Sequence, residues 1–185
     1  MEKADCLGRA FVKAGFTKIP LDTSMRLGSD DAGSWPDTDK IAERGVRLYQ
    51  ACEETYREKL KTNPQAMEPI YVIGSEVPIP GGGQDEEGEI KVTSPADFEE
   101  TIQAYTKAFE RHGIRDAWDH IAAVVVQPGV EFSDSGVCKY DRVKAHELCR
   151  AVKRYPDLVM EGHSTDYQGA KLLREMAEDG VGILK

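Results

Sequence analysis

Residues 122–131 read AAVVVQPGVE. Two alanines and three valines in a row, closed at once by Gln127, Pro128 and Gly129, describe a strand with no polar face. Strands buried on both faces belong mostly to parallel sheets covered by helices, so this stretch predicts an α/β fold. The pattern recurs at residues 18–24 (KIPLDTS), 70–76 (IYVIGSE), 158–166 (LVMEGHSTD) and 182–185 (GILK). Each apolar run ends in polar residues, and a long amphipathic segment follows nearly every one. In barrels and open α/β sheets alike, the carboxyl ends of the strands carry the ligands and the chemistry. The recurrence therefore predicts a fold class and a set of site residues together.

Helix signals fall between these runs. Leu7, Ala10, Phe11 and Ala14 lead to Gly15, so the chain is expected to begin in helix. Asp37 and Thr38 can cap a second helix, whose apolar residues Ile41, Leu48, Cys52, Tyr56 and Leu60 share one stripe and carry it to about Lys61. Ser94-Pro95-Ala96-Asp97 supplies a cap, a first-turn proline and an acidic third residue ahead of Phe98, Ile102, Tyr105 and Phe109, with Gly113 placed to end the helix. Asp141 opens a fourth helix, stopped at Tyr155-Pro156, and residues 168–178 form a fifth before Gly180.

The order is α-β-α-β-α-β-α-β-α-β. A complete eight-stranded barrel needs about 250 residues. A chain of 185 residues, beginning in helix and ending within a strand, is expected to be a single, incomplete TIM (β/α)8 barrel domain over residues 1–185, with about five parallel strands and intervening helices. A smaller open doubly wound sheet is the alternative.

The composition, 40% hydrophobic and 31% charged, is that of a globular protein, and no apolar run approaches the length of a membrane span. No basic-then-apolar leader opens the sequence, so a cytoplasmic location is expected. Cys6, Cys52, Cys138 and Cys149 form no CxxC pair and read as reduced thiols, not a metal cluster. A net charge of -9 repels a phosphate backbone and argues against nucleic acid as a partner. A small phosphorylated metabolite needs only a local positive pocket.

Taken in this order and at these separations, KIPLDTSM, YVIGSEVPIPGG, VVQPGVEF, EGHSTDYQ and the terminal GILK resemble the non-catalytic Z subunit of class II D-tagatose-1,6-bisphosphate aldolase. The resemblance covers essentially the whole chain. Members of that family are considerably longer, with barrel strands on both sides of this sequence, so Met1 reads as an internal methionine. The resemblance implies a TIM-barrel relative of the zinc-dependent ketose-bisphosphate aldolases. Such a subunit supports the activity and stability of a catalytic Y subunit and is not itself an aldolase. No cofactor of its own is firmly implied, and zinc is an expectation for the catalytic partner.

The residues bear on that implication directly. A class II aldolase polarises its ketose carbonyl with a divalent metal held by imidazoles from several strand ends. Of four histidines here, His112 precedes Gly113, His120 lies ahead of the strand at Ile121, and His146 falls within a helix. His163 alone is expected at a strand's carboxyl end, which makes it the one metal-ligand candidate. Strand alternation would put Glu161 and Thr165 on its face and Gly162 and Ser164 on the other. Its bland reading is an imidazole bonded to Asp166 or Glu131. By the resemblance, His163 matches a zinc-ligand histidine of the active enzymes, whereas Gln127 occupies the strand on which they present another. A neutral amide is a poor zinc ligand, so the metal site is expected to be incomplete.

Asp22, Glu76 and His163 are the catalytic candidates. Ser24, Gly81, Gly82, Gln127, Ser164, Asp166 and Lys185 are the substrate-binding candidates. Residues 81–83 are three glycines that would allow close backbone approach to a phosphate, although such glycines also simply shape turns, and the acidic residues 85–87 would oppose an anion. Asp22 and Ser24 read nearly as well as turn caps. Lys185 could form a Schiff base with a ketose, but no second lysine or acid is visibly placed to assist it.

Three functions follow. The first is an accessory subunit partnered by the catalytic Y subunit. The second is a zinc-dependent class II ketose-bisphosphate aldolase or sugar-phosphate epimerase in its own right. The third is a module that binds a sugar phosphate without chemistry. Unpaired strand edges also predict a tendency to associate into homo-oligomers.

Overall fold

The computed structural model describes residues 1–31, 33–74, 90–134 and 136–185. Its elements alternate as the apolar runs require. Helix α1 spans Glu2–Ala14, β1 Lys18–Pro20, α2 Thr38–Thr62, β2 Ile70–Ile73 and α3 Pro95–Arg111. A 3-10 helix at Arg115–His120 precedes β3, Ile121–Val126, and a hairpin follows of β4, Glu131–Ser133, and β5, Gly136–Cys138. The chain continues with α4, Arg142–Val152, β6, Val159–Gly162, α5, Ala170–Glu178, and β7, Val181–Leu184. Five parallel strands make one sheet in the order β1-β2-β3-β6-β7, with helices between them, which is the expected partial α/β barrel.

The caps follow the sequence signals. Asp37 accepts from the Lys40 N–H at 2.8 Å, Ser94 Oγ from the Asp97 N–H at 3.1 Å, and Asp141 from the Val143 N–H at 2.9 Å. Gly15, at φ 93, ends α1 with its N–H on Val12 O and the Phe16 N–H on Phe11 O, both at 3.1 Å.

Two compact units divide the chain, one of Met1–Ile73 with Thr101–Ala122, the other of Gly74–Glu100 with Ala123–Lys185. In the first, Tyr49 meets Tyr71 and Phe109 edge-on at centroid distances of 4.8 and 5.8 Å. Helix α1 packs on α2 through Gly8, where a Cβ would stand 2.8 Å from Leu48 Cδ1 and 2.9 Å from Cys52 Sγ and would make those side chains shift. In the second unit, the β3 residues Ala123 to Val126 are buried with Met160, Leu148, Val152, Met176 and Val181. Each such aliphatic side chain contributes about 1.5–3 kcal/mol on burial.

Three features differ from the sequence reading. The hairpin and the 3-10 helix were not expected, because three-residue strands and a six-residue 3-10 segment leave no periodicity to detect. Strands β1 and β2 are shorter than their apolar runs, β1 ending at Pro20 and β2 just before Gly74 at φ 101. The fifth helix begins at Ala170 and not at Gln168, because the Gln168 side chain is occupied elsewhere.

Candidate functional site

In the second unit, the carboxyl ends of β3, β6 and β7 gather several candidates. Gln127 follows β3 and is 1% exposed. Its Oε1 accepts from the Gly129 and Val130 N–H groups at 2.8 and 3.0 Å, folding the side chain over its own turn. Its Nε2 is buried without an acceptor among the described residues. Thr93 fixes the backbone of Gln127, its Oγ1 accepting from Gln127 N–H at 2.8 Å and its N–H donating to Gln127 O at 2.9 Å.

Beside this end, the His163 N–H donates to Val126 O at 2.9 Å, and the His163 ring Nδ1 lies 2.7 Å from Ser164 Oγ. Strand alternation was expected to continue through His163, and it does not. Ser164 adopts φ 56 in the turn after β6, and a Cβ at Gly162 would meet Thr165 Cγ2 at 2.9 Å. Thr165 therefore shares a side with Gly162, contrary to the expected pairing with His163. The Thr165 N–H and Oγ1 both donate to Lys185 O, at 2.8 and 3.1 Å, and the Lys185 N–H donates to Gly162 O at 3.1 Å. Lys185 is thus tied by its backbone to the β6 loop and its residue is exposed, as is Asp166. Glu161, 1% exposed on β6 opposite Val125, is a buried carboxylate absent from the candidate set, although its neighbourhood to His163 was legible.

In the first unit, the loop after β1 holds Asp22 and Ser24. Asp22 Oδ1 accepts from the Ser24 N–H at 3.1 Å and from Ser24 Oγ at 2.7 Å, the geometry of a turn cap. Thr23 Oγ1 donates to Ile41 O at 2.8 Å. Further along, Asp30 pairs with Arg44 and Lys40 and accepts the Leu27 N–H at 2.8 Å. The Arg44 guanidinium, then the Leu27 amide and Lys40, hold the Asp30 carboxyl far below the usual carboxylate range. No part of the sequence reading singled out this anchor. Glu76, Gly81 and Gly82 lie outside the described residues.

The other imidazoles are engaged elsewhere. His112 Nε2 bonds Glu43 at 2.9 Å, His146 Nδ1 bonds Glu147 at 3.0 Å, and His120 bonds the Tyr49 hydroxyl at 2.8 Å with Glu68 at 3.4 Å. Among the described residues, no three His, Cys, Asp or Glu side chains are grouped to hold a metal ion. These donors do not fit the zinc of a class II aldolase. Nor is any helix among them long and apolar enough to cross a membrane.

Five parallel strands with helices between them define a protein of the α/β-barrel class, whose ligands as a rule bind at the carboxyl ends of the strands. Comparison with known proteins is more specific. The chain belongs to the family described as D-tagatose-1,6-bisphosphate aldolase subunit GatZ/KbaZ-like, which matches residues 1–185. Among solved structures, it is similar to a probable tagatose 6 phosphate kinase from Sinorhizobium meliloti 1021, at 35% identity and TM-score 0.77 over 96% of this chain. The chain spans 39% of the length of that protein. A second match, to the apo homocysteine methyltransferase MmuM from Escherichia coli, has 14% identity and TM-score 0.45 over 89% of this chain and 49% of the other.

Proposed function

We propose that this chain acts within an accessory subunit of a D-tagatose-1,6-bisphosphate aldolase. It binds a catalytic Y-type subunit in the cytoplasm, raises that partner's stability and activity, and does not cleave the ketose bisphosphate itself. Galactitol or N-acetylgalactosamine catabolism is the setting. A protein that binds the native form of another stabilises it by mass action, so assistance needs no catalytic group.

The placement of the imidazoles carries this reading. His112, His120 and His146 bond Glu43, Tyr49 with Glu68, and Glu147 respectively, while His163 and Gln127 each follow the carboxyl end of one of the paired strands β6 and β3. One imidazole and one amide make a weak zinc site. The family description and the name of the solved relative both refer to tagatose phosphates, which supports the substrate setting.

The test is aldolase activity and zinc content of the purified protein, measured with and without a Y-type partner. The expected result is no cleavage of tagatose 1,6-bisphosphate and no retained zinc without the partner, and increased partner activity on mixing. Cleavage by this protein unaided, abolished in His163→Ala, would overturn the proposal in favour of a metal-dependent aldolase.

A further inference from the structure

Just past β6 the backbone twice takes a conformation that side chains disfavour, Ser164 at φ 56 and Tyr167 at φ 59. For a bulky aromatic residue the left-handed region is an outlier that persists only where its surroundings impose it. Gln168 supplies the constraint. Only 8% exposed, it donates Nε2 to Cys138 O at 2.9 Å and accepts the Tyr140 N–H on Oε1 at 3.0 Å, clamping the end of β5 to this loop. Tyr167 is thereby set edge-on against Phe132 of β4, with ring centroids 5.2 Å apart and planes at 72°. Yet Tyr167 remains 77% exposed and Phe132 38% exposed.

A turn that needed only the positive φ would be served better by glycine or asparagine. A strained, clamped and solvent-facing aromatic ring does not serve the core either. The geometry points to a carbohydrate site, in which Tyr167, buttressed by Phe132 and placed by Gln168, is the wall that stacks on the C–H face of a sugar. Aromatic faces remove such C–H surface from water while the phenol keeps a polar edge. Asp166, exposed and next in sequence, accepts sugar hydroxyls and repels phosphate, so the ligand moiety at this wall is the polyhydroxylated carbon skeleton and not the phosphate group. The aromatic wall rests on the geometry alone, and the choice of sugar rests on the proposed carbohydrate setting.

Saturation-transfer NMR with D-tagatose and D-galactose as probes tests the wall, beside thermal melts of wild type, Tyr167→Trp, Tyr167→Gly and Gln168→Ala. Wild type and Tyr167→Trp are expected to transfer saturation to the sugar C–H protons. Tyr167→Gly should weaken binding at least tenfold while its melting temperature holds or rises, because glycine relieves the positive φ; a merely structural tyrosine would lose stability instead. Gln168→Ala should weaken sugar binding by releasing the wall. Absence of transfer from wild type to either sugar overturns the inference, as does a Tyr167→Gly variant that binds like wild type. Loss of assembly with the catalytic subunit in Tyr167→Gly, with no sugar signal from wild type, would assign the aromatic pair to protein docking instead.

Discussion

Removing the hydroxyl of Tyr71 should destabilise the first unit severely for so small a change. Tyr71 is 0% exposed, Glu53 is 5% exposed, and the phenol donates to Glu53 Oε1 at 2.7 Å. Burial, reinforced by the Glu53 carboxylate, pushes the phenol pKa far up, so the tyrosine keeps its proton and Glu53 is the acceptor. Tyr71→Phe preserves the ring contact with Tyr49 and deletes one oxygen. A hydrogen bond to a charged group contributes about 1.5–3 kcal/mol, and the carboxylate left behind is buried, so the expected loss is about 2–3 kcal/mol. For a chain of this size that lowers Tm by about 4–12 °C. Urea denaturation followed by circular dichroism should show a lower midpoint at unchanged m. Glu53→Gln keeps an acceptor oxygen and should cost under about 1 kcal/mol. If Tyr71→Phe lost less than about 0.5 kcal/mol, or no more than Glu53→Gln, the buried charge would not depend on this donor and the reasoning would fail.

Other consequences are as direct. A Cβ at Gly45 would collide with the Tyr105 hydroxyl, which donates to Leu21 O at 3.3 Å. Gly45→Ala should therefore cost about 1–3 kcal/mol in overpacking, and an unchanged thermal midpoint would contradict the close approach. Because the Asp30 carboxyl is held below its unfolded value, its stabilising effect is present above about pH 4 and fades as pH falls further. Asp30→Asn should then be less stable than wild type at pH 7, with the gap closing in acid; a gap independent of pH refutes the anchor. Burial pushes the Cys52 thiol up to about 11 and raises Cys149 as well, whereas Cys6 and Cys138 are exposed. Brief iodoacetamide treatment at neutral pH should label Cys6 and Cys138 and spare Cys52 and Cys149 until the protein unfolds, as read by peptide mass spectrometry.

The parallel strands were legible because burial on both faces leaves uninterrupted apolar runs, and AAVVV became β3 almost residue for residue. The caps were legible because Asp37, Ser94 and Asp141 act on amides two or three residues away. Interactions between distant segments were not. The Asp30–Arg44 anchor spans fourteen positions, and the Gln168 clamp reaches back thirty to Cys138. Nothing in the local pattern distinguishes Gln168 from a helix opener. Left-handed backbone at Ser164 and Tyr167 was equally hidden, since neither is glycine, and it undid the alternation expected around His163. Asp22 and Ser24 came out as the turn cap that their sequence already allowed.

Gln127 shows why one amide at this strand end weighs against metal chemistry more than a simple missing ligand would. Its Oε1 serves two backbone donors, Gly129 N–H and Val130 N–H, and Val130 is fully buried. An imidazole at this position reaching outward for a cation would leave those donors without an acceptor, each at a cost of about 1–3 kcal/mol. The turn after β3 is therefore built around an acceptor that bends back upon it, and a metal ligand there would require a different turn. His163 is similarly committed on one nitrogen to Ser164 Oγ, which lies in a left-handed backbone that fixes its direction. Both side chains act first on the conformation of their own loops. At these two strand ends the polar side chains serve their own turns before they serve any ligand.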